Sequence, residues 1–387
     1  MAIDLVPLPL PESADPTKFF NFGVEVKGVH PGHLHTEELT ELIDILYKHD
    51  VLLFRDVDLT PEQQYALVKA FDPASESYGH GNKKDSGIKS ILHPHLTAIP
   101  RQPQVQLIGH GLVRDHEGLS ESHLQHPSHK TFHKTRVSDE DEAKGYTRFY
   151  RWHQDAALYG DLAPPKVTAL YGIGVPQGPR QTCRYDDGTG DELSVPLGTT
   201  AFVSGKNMFE ALTPALKSVA VRSRVKYAPH CFVWMAPAHA HSTGLGMETE
   251  GLELPMNELP PWEEAKMQTL PVLWKNAVTG NLHVQLSSCG ALEVLIDPLP
   301  AGASREGAVH PDGAHLTDLN EVRSLLYQLQ RPGIAPKKDL VLFHNRGVTH
   351  SVVGAFKDGQ VRKFHQCNLA ASDFPSGPNA EDIKKWA

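Results

Sequence analysis

Cysteine is scarce in this chain. The 387 residues hold four, Cys183, Cys231, Cys289 and Cys367, and no two form a Cys-x-x-Cys pair. Neither a disulfide framework nor a zinc ribbon can organise such a sequence, and the usage suits a reducing compartment, with the cytoplasm the expected location. No apolar run approaches the ~18 residues needed to span a bilayer. No basic segment followed by an apolar one opens the chain, so neither a signal peptide nor a membrane partner is expected. Positive charge is also in deficit. Lys and Arg number 37 against 46 Asp and Glu, a formal charge of −9, which argues against a nucleic-acid partner. A nucleotide-binding glycine loop is missing too, because Gly172-Ile-Gly174 lacks the remaining glycines of that fingerprint.

Turn formers and histidine are plentiful. Gly 31 and Pro 30 argue for many turns rather than a helical bundle, and His 23 raises the question of which histidines bind metal. Residues 1–16 are Pro-rich and read as a flexible N-terminal arm, with residues 17–387 as one domain. Thr36 to Tyr47 carries apolar residues at helical spacing. Thr60-Pro-Glu-Gln63 predicts a capped helix running to about Phe71. Two further helices are expected at Met208–Ala220 and at Leu316–Leu329, the latter capped by Thr317. Short strand-like runs recur from residue 146 on, among them Thr147–His153, Lys166–Gly174, Phe232–Met235, Asp339–Phe343 and Val361–Asn368. The pattern predicts a mainly β fold, a barrel or sandwich decorated with helices. Residues 111–145 are rich in charge and histidine with little periodicity, and read as a solvated loop or a lid over the site.

The chemistry centres on three segments. His153-Gln-Asp155 places a nitrogen and a carboxylate on one face of a strand, since i and i+2 side chains share a face. Asn345-Arg-Gly-Val-Thr-His350 offers a second histidine. Arg362 follows in Val361-Arg-Lys-Phe-His-Gln366. Two histidines and one carboxylate form the facial triad of non-haem Fe(II) oxygenases, which leaves coordination positions open for a bidentate 2-oxo acid and dioxygen. A guanidinium offers a planar fork for that acid's far carboxylate.

On these residues the chain resembles the TauD/TfdA-like Fe(II)/2-oxoglutarate-dependent dioxygenases. Phe22-Gly-Val-Glu-Val-Lys-Gly-Val, Val51-Leu-Leu-Phe-Arg55, Leu59-Thr-Pro-Glu-Gln-Gln64 and Trp274-Lys-Asn-Ala-Val-Thr-Gly280 carry the likeness over nearly the whole length. Within that family it is similar to the fungal 2-oxoglutarate-dependent xanthine dioxygenases. Pro103-Gln-Val-Gln-Leu-Ile-Gly-His-Gly111, Thr147 to Gly160, Arg184-Tyr-Asp-Asp-Gly-Thr-Gly190 and Phe364-His-Gln-Cys-Asn-Leu-Ala-Ala-Ser-Asp373 carry this closer likeness.

The resemblance implies a double-stranded β-helix, the jelly roll of cupin-like proteins. It implies Fe(II) on His153, Asp155 and His350, with 2-oxoglutarate and O2 as co-substrates. Arg362 would bind the distal carboxylate, and Thr182 is taken as the threonine that assists it. The implied reaction is hydroxylation of xanthine at C8 to uric acid. Many relatives carry a second arginine where this chain has Gln366, and its loss fits a hydrogen-bonding heterocycle better than a carboxylate substrate. Gln366 with Asn368, and Gln104 with Gln106, are i,i+2 carboxamide pairs that can read a purine edge.

Lys130, Lys134 or His126 could supply a cation near a ring anion, whereas Asp141 and Glu142 read as a solvated charge run. His344 reads as structural, and His365, Phe364 and Phe343 as packing residues. The segment from Arg331 to about 341 looks shortened relative to the family. Two alternatives stay open: another heterocycle or an aryloxy acid in the same enzyme class, and a catalytically silent metal-binding scaffold. A homo-oligomer is compatible with the sequence.

Overall fold

The computed structural model describes residues 3–8, 21–77, 97–125, 129–334, 342–357 and 359–387. His126, most of the excursion at 78–96 and residues 335–341 of the shortened segment lie outside these.

The main sheet runs, edge to edge, through Asp4–Pro7, Val24–Lys27, Val51–Leu53, Leu342–His344, Val167–Gly174, Arg362–Asn368, Gln102–His116 and Thr97–Ile99, with Leu119–Leu124 paired to the far half of the Gln102–His116 strand. Neighbours are antiparallel except Val24–Lys27 with Val51–Leu53. A second layer faces it. Thr200–Ser204 pairs with Val348–Val352, and Glu192–Val195 pairs with Gln181–Arg184. Phe202 from this layer packs on Phe343 of the main sheet, ring centroids 4.8 Å apart. The two layers enclose the site, as the expected jelly roll requires.

Thr36–His49 buries Leu42, Ile45 and Leu46, and Pro61–Phe71 buries Leu67 and Val68 against the outer face of the main sheet. Thr60 and Gln63 make the capping box read from the sequence. Gln64 is fully buried, and its Nε2 donates to the carbonyls of Ala169 and His365, which ties the helix to the two central strands. The long insertion between the two layers forms its own four-stranded sheet, ordered Thr269–Pro271, Ser223–Tyr227, Ala291–Ile296 and Ala314–Leu316, with the helix Leu319–Gln330 packed on it. Among the described residues no helix is long and apolar enough to cross a membrane.

Several expectations need correction. Asp4–Pro7 is a strand paired with Val24–Lys27, so this part of the N-terminal arm is an edge of the main sheet. Met208–Ala220 is two helices, Gly205–Glu210 and Pro214–Val221, because Pro214 cannot continue the first and instead opens the second under a Thr213 cap. Asp318 caps the helix at Leu319–Gln330, its carboxylate accepting from the Asn320 and Glu321 amides, so Thr317 does not. Phe232–Met235 is not a strand: Cys231–Trp234 is a helical turn, and its short apolar run had no period to separate the two.

The 111–145 region is not an irregular loop either. It finishes one strand, adds the hairpin strand Leu119–Leu124 and holds two short helices, His129–Phe132 and Asp139–Ala143. Several of its charges are paired. Asp141 accepts from Arg184 at 3.0 Å, Glu142 lies 2.7 Å from Lys130, and Lys134 lies 3.7 Å from Glu248. Asp141 and Glu142 are therefore ion-paired rather than simply solvated.

Candidate active site

The extended segment before Asp155 runs beside Val348–Val352. His153 and His350 exchange both backbone hydrogen bonds, at 3.0 and 2.9 Å, although 197 positions separate them in the chain. That pairing sets their imidazoles side by side, ring centroids 4.2 Å apart. Asp155 Oδ1 lies 3.9 Å from His153 Nε2 and 3.6 Å from His350 Nε2. The three donor atoms fall within 4.8 Å of one another, and no other group of three or more metal-binding side chains is that close among the described residues. The Arg151 carbonyl sits 3.2 Å from His153 Nδ1. That contact fixes the tautomer with Nδ1–H outward and Nε2 free to bind metal. Burial, more than any neighbouring charge, holds both histidines below their ordinary value, so they stand neutral as ligands must.

Asp155 is held from several sides. Its Oδ2 accepts hydrogen bonds from Thr168 Oγ1 at 3.0 Å, Gln366 Nε2 at 2.9 Å and Asn368 Nδ2 at 3.1 Å. Asn345 grips the same residue's backbone, its Oδ1 accepting from the Asp155 amide at 2.9 Å and its Nδ2 donating to the Asp155 carbonyl at 2.8 Å. With three donors on Oδ2, only Oδ1 is left to face the histidines. Gln366 and Asn368, expected to read a substrate, thus turn their amide groups to the carboxylate ligand. Thr168 and Asn345 were not singled out in the sequence. The one signal for them was that Asn345 opens the second histidine's motif and Thr168 heads the strand beside Asn368.

Arg362 is buried on the same strand face as Phe364, Gln366 and Asn368. Its Nε donates to the Gly198 carbonyl at 3.0 Å and its Nη2 to Thr200 Oγ1 at 2.9 Å, while its guanidinium lies 4.0 Å over the Phe364 ring. Among the described residues no carboxylate pairs with it, and burial alone pulls it down to about 10. The neighbouring strand comes very close here. A Cβ on Gly109 would stand 1.8 Å from the Arg362 carbonyl oxygen, and Gly109 has φ of +144°. Only glycine tolerates both.

The hydroxyl against Arg362 belongs to Thr200. Thr182 sits instead in the strand Gln181–Arg184, opposite Ser194, its amide donating to the Gly145 carbonyl, so the structure does not bring it to Arg362. Gln106 pairs with Gln366 across the sheet, but its amide donates to the Pro103 carbonyl at 2.8 Å. Gln104, two residues earlier, shares that face and is half-buried. His344 is packed 4.5 Å from the Tyr47 ring and 3.6 Å from Asp50, away from the triad, as a structural residue should be. His365 faces the opposite side of the sheet, 2.8 Å from His116.

Residues 9–368 match the family described as taurine catabolism dioxygenase TauD, TfdA. The chain belongs to this family. It is 49% identical to the alpha-ketoglutarate-dependent xanthine dioxygenase xan1 of Schizosaccharomyces pombe over 390 aligned positions, covering 97% of this chain and 90% of that protein. It is 48% identical to the corresponding xan-1 of Neurospora crassa, covering 98% and 89%. A crystal structure of a taurine dioxygenase from Burkholderia xenovorans superposes with a TM-score of 0.52 at 16% identity, covering 97% of this chain and 93% of that one, and bears out the jelly roll.

TauD-family dioxygenases use Fe(II), 2-oxoglutarate and O2, and the residues present fit these groups. Two neutral imidazoles and one free carboxylate oxygen make a three-ligand face. The buried Arg362, which meets no carboxylate among the described residues, is a cation suited to a dicarboxylate.

Proposed function

We propose that this chain hydroxylates xanthine at C8 to uric acid, consuming 2-oxoglutarate and O2 and releasing succinate and CO2. The observation that carries the reading is near-half identity, over nearly the full length, to proteins named xanthine dioxygenases, on a chain that keeps the whole triad and Arg362. When bound, the iron with its co-substrates supplies the oxidising chemistry.

The protein's own residues hold and orient. His153, Asp155 and His350 would take the metal on one face. Thr168, Gln366 and Asn368 would keep Asp155 in a single-oxygen mode by occupying Oδ2. Arg362, steadied by Thr200 and Gly198, would take the distal carboxylate of 2-oxoglutarate. The carboxamide face built by Gln366, Gln104 and Gln106 beside the triad would receive the purine. The Gln366 carbonyl takes no protein donor among the described residues, so it is able to accept from a ring N–H. Such placement matters because a misplaced C8 loses the orientation that makes the reaction effectively intramolecular. Four free, buried cysteines suit a reducing compartment, and we place the protein in the cytoplasm.

The test is to load the protein with Fe(II) and 2-oxoglutarate without oxygen, then admit air in the presence of each of a panel of purines. Urate from xanthine with stoichiometric succinate is expected. Succinate coupled to another substrate, and none to xanthine, would replace this reading.

A further inference from the structure

Two arginines approach the triad. Arg362 is accounted for above. The other is Arg151, two residues before His153 in the same extended segment. Trp152 and Gln154 turn into the buried core, with Gln154 accepting from Ser287. Arg151, His153 and Asp155 alternate with them and share the opposite face. At about 3.3 Å per residue, the Arg151 side chain starts about 6–7 Å from the first metal ligand, within one arginine's reach. Its charge is felt at both His153 and His350.

The surroundings of this guanidinium are unlike those of its peers. Arg148, Arg184, Arg323, Arg331 and Arg346 are buried or half-buried, and each reaches a carboxylate. Arg222 is held by a ring of backbone carbonyls. Arg151 has neither. Its Nε is buried without a partner, and among the described residues its guanidinium meets no hydrogen-bond acceptor. It is stacked instead, 4.5 Å from the Phe232 ring centroid and 5.8 Å from that of Tyr150. Aromatic faces orient a guanidinium but leave its forked N–H groups and its charge unmatched. A half-buried cation beside the candidate metal face, unpaired among the described residues, calls for an anion.

Charge counting says which anion. The two positive charges of Fe(II) and the one on Arg362 balance the single charge of Asp155 and the two of 2-oxoglutarate. Arg151 then leaves the loaded site with one positive charge over. Xanthine loses a ring proton near neutral pH, and its monoanion cancels that excess.

We propose, resting on the xanthine reading above, that Arg151 is the residue that anchors substrate, binding the oxopurine as its monoanion with the guanidinium fork on the deprotonated ring edge and Phe232 fixing the fork's plane. The ligand class is an anionic oxopurine. The competing source of negative charge is the metal-proximal carboxylate of 2-oxoglutarate, and the experiment separates the two.

Arg151→Gln and Arg151→Lys are compared with the wild type. Xanthine affinity for the anaerobic Fe(II)–2-oxoglutarate complex is measured by calorimetry across the pH range in which xanthine ionises. KM is measured for each co-substrate. For R151Q we expect at least tenfold weaker xanthine binding, loss of the wild-type tightening as xanthine ionises, and unchanged KM for 2-oxoglutarate. R151K should restore part of the affinity and the pH dependence, because it keeps the charge and loses only the fork. Unchanged xanthine affinity in R151Q overturns the proposal. So does a rise in the KM for 2-oxoglutarate matching that for xanthine, or wild-type binding that weakens as xanthine ionises. A wild type that binds and turns over no xanthine brings down the functional reading and this inference together, whereas wild-type turnover with an unaffected R151Q removes only the role of Arg151.

Discussion

Thr168→Val is the sharpest perturbation of the metal site that leaves every ligand in place. Valine matches threonine in shape, so the packing of a fully buried position is kept. What is lost is one of the three hydrogen bonds to Asp155 Oδ2, the one from Thr168 Oγ1 at 3.0 Å. A hydrogen bond to a charged acceptor contributes ~1.5–3 kcal/mol. No water can replace the hydroxyl at a position closed to solvent, so most of that loss should reach the metal. Changes in the residues that orient ligands typically cost about 10–100-fold in affinity or activity, the same range.

The assay is anaerobic titration of the apoprotein with Fe(II) at saturating 2-oxoglutarate, read by the visible absorption of the complex, with Co(II) as an air-stable reporter of coordination geometry. T168V should bind Fe(II) about 10–100-fold more weakly, and T168S should bind nearly as the wild type does. Combining T168V with Asn368→Leu should cost less than the sum of the two, because both donors serve one oxygen. A T168V protein that is folded by circular dichroism and binds Fe(II) within about twofold of the wild type would refute the assignment of Oδ2 as the held oxygen and Oδ1 as the ligand.

Two further outcomes follow from other parts of the molecule. Thr200→Val removes the hydroxyl 2.9 Å from Arg362 Nη2 and should raise the KM for 2-oxoglutarate about tenfold with xanthine affinity kept, whereas Thr182→Val should change neither; steady-state kinetics in both substrates decides. His365 is pulled from 6.5 to about 4 chiefly by burial, then by the nearby His116. The unfolded chain therefore binds more protons than the folded one between those values, so stability is full above about 6.5 and falls as the pH drops toward about 4. Urea unfolding at several pH values should show this acid loss, ~3 kcal/mol at most for this group, and His365→Gln should flatten it; an unchanged slope would mean that His365 does not titrate in this window.

The parts of this architecture that announce themselves in sequence are those carried by local periodicity or by a side chain's own chemistry. The Thr60 box and the 36–49 helix were legible because caps and a 3.6-residue pattern are local signals. His153, Asp155, His350 and Arg362 stand out through three motifs in combination and the family these resemble, since a His-x-Asp pair alone is common. The structure gathers the first three within ligand reach of one another and, among the described residues, gives Arg362 no acid.

Partners fixed only by tertiary register were not legible. Thr182 and Thr200 are equally plausible from composition. The pairing of Thr200–Ser204 with Val348–Val352 decides between them, and no local pattern encodes it. Gln366 and Asn368 were placed on the correct face from their i,i+2 spacing, but their hydrogen bonds to Asp155 depend on Val167–Gly174 lying alongside. Phe232–Met235 reads as a strand, where the chain makes the helical turn Cys231–Trp234, because four apolar residues carry no period. The 111–145 segment carries ordered elements that its composition hides, because its charges pair with Arg184 and Glu248, which lie outside the segment.

The two backbone hydrogen bonds between His153 and His350 bear on the biosynthesis of the protein as well as on its finished geometry. Closing a loop of that length is slow compared with forming the helices and hairpins it encloses. A chain emerging from the ribosome carries its first histidine and its carboxylate long before the second histidine exists. Through most of synthesis it therefore presents at most two of the three side chains proposed as ligands. On the proposed ligand set, gain of tight iron binding during refolding should report docking of the Val348–Val352 strand and not the collapse that precedes it.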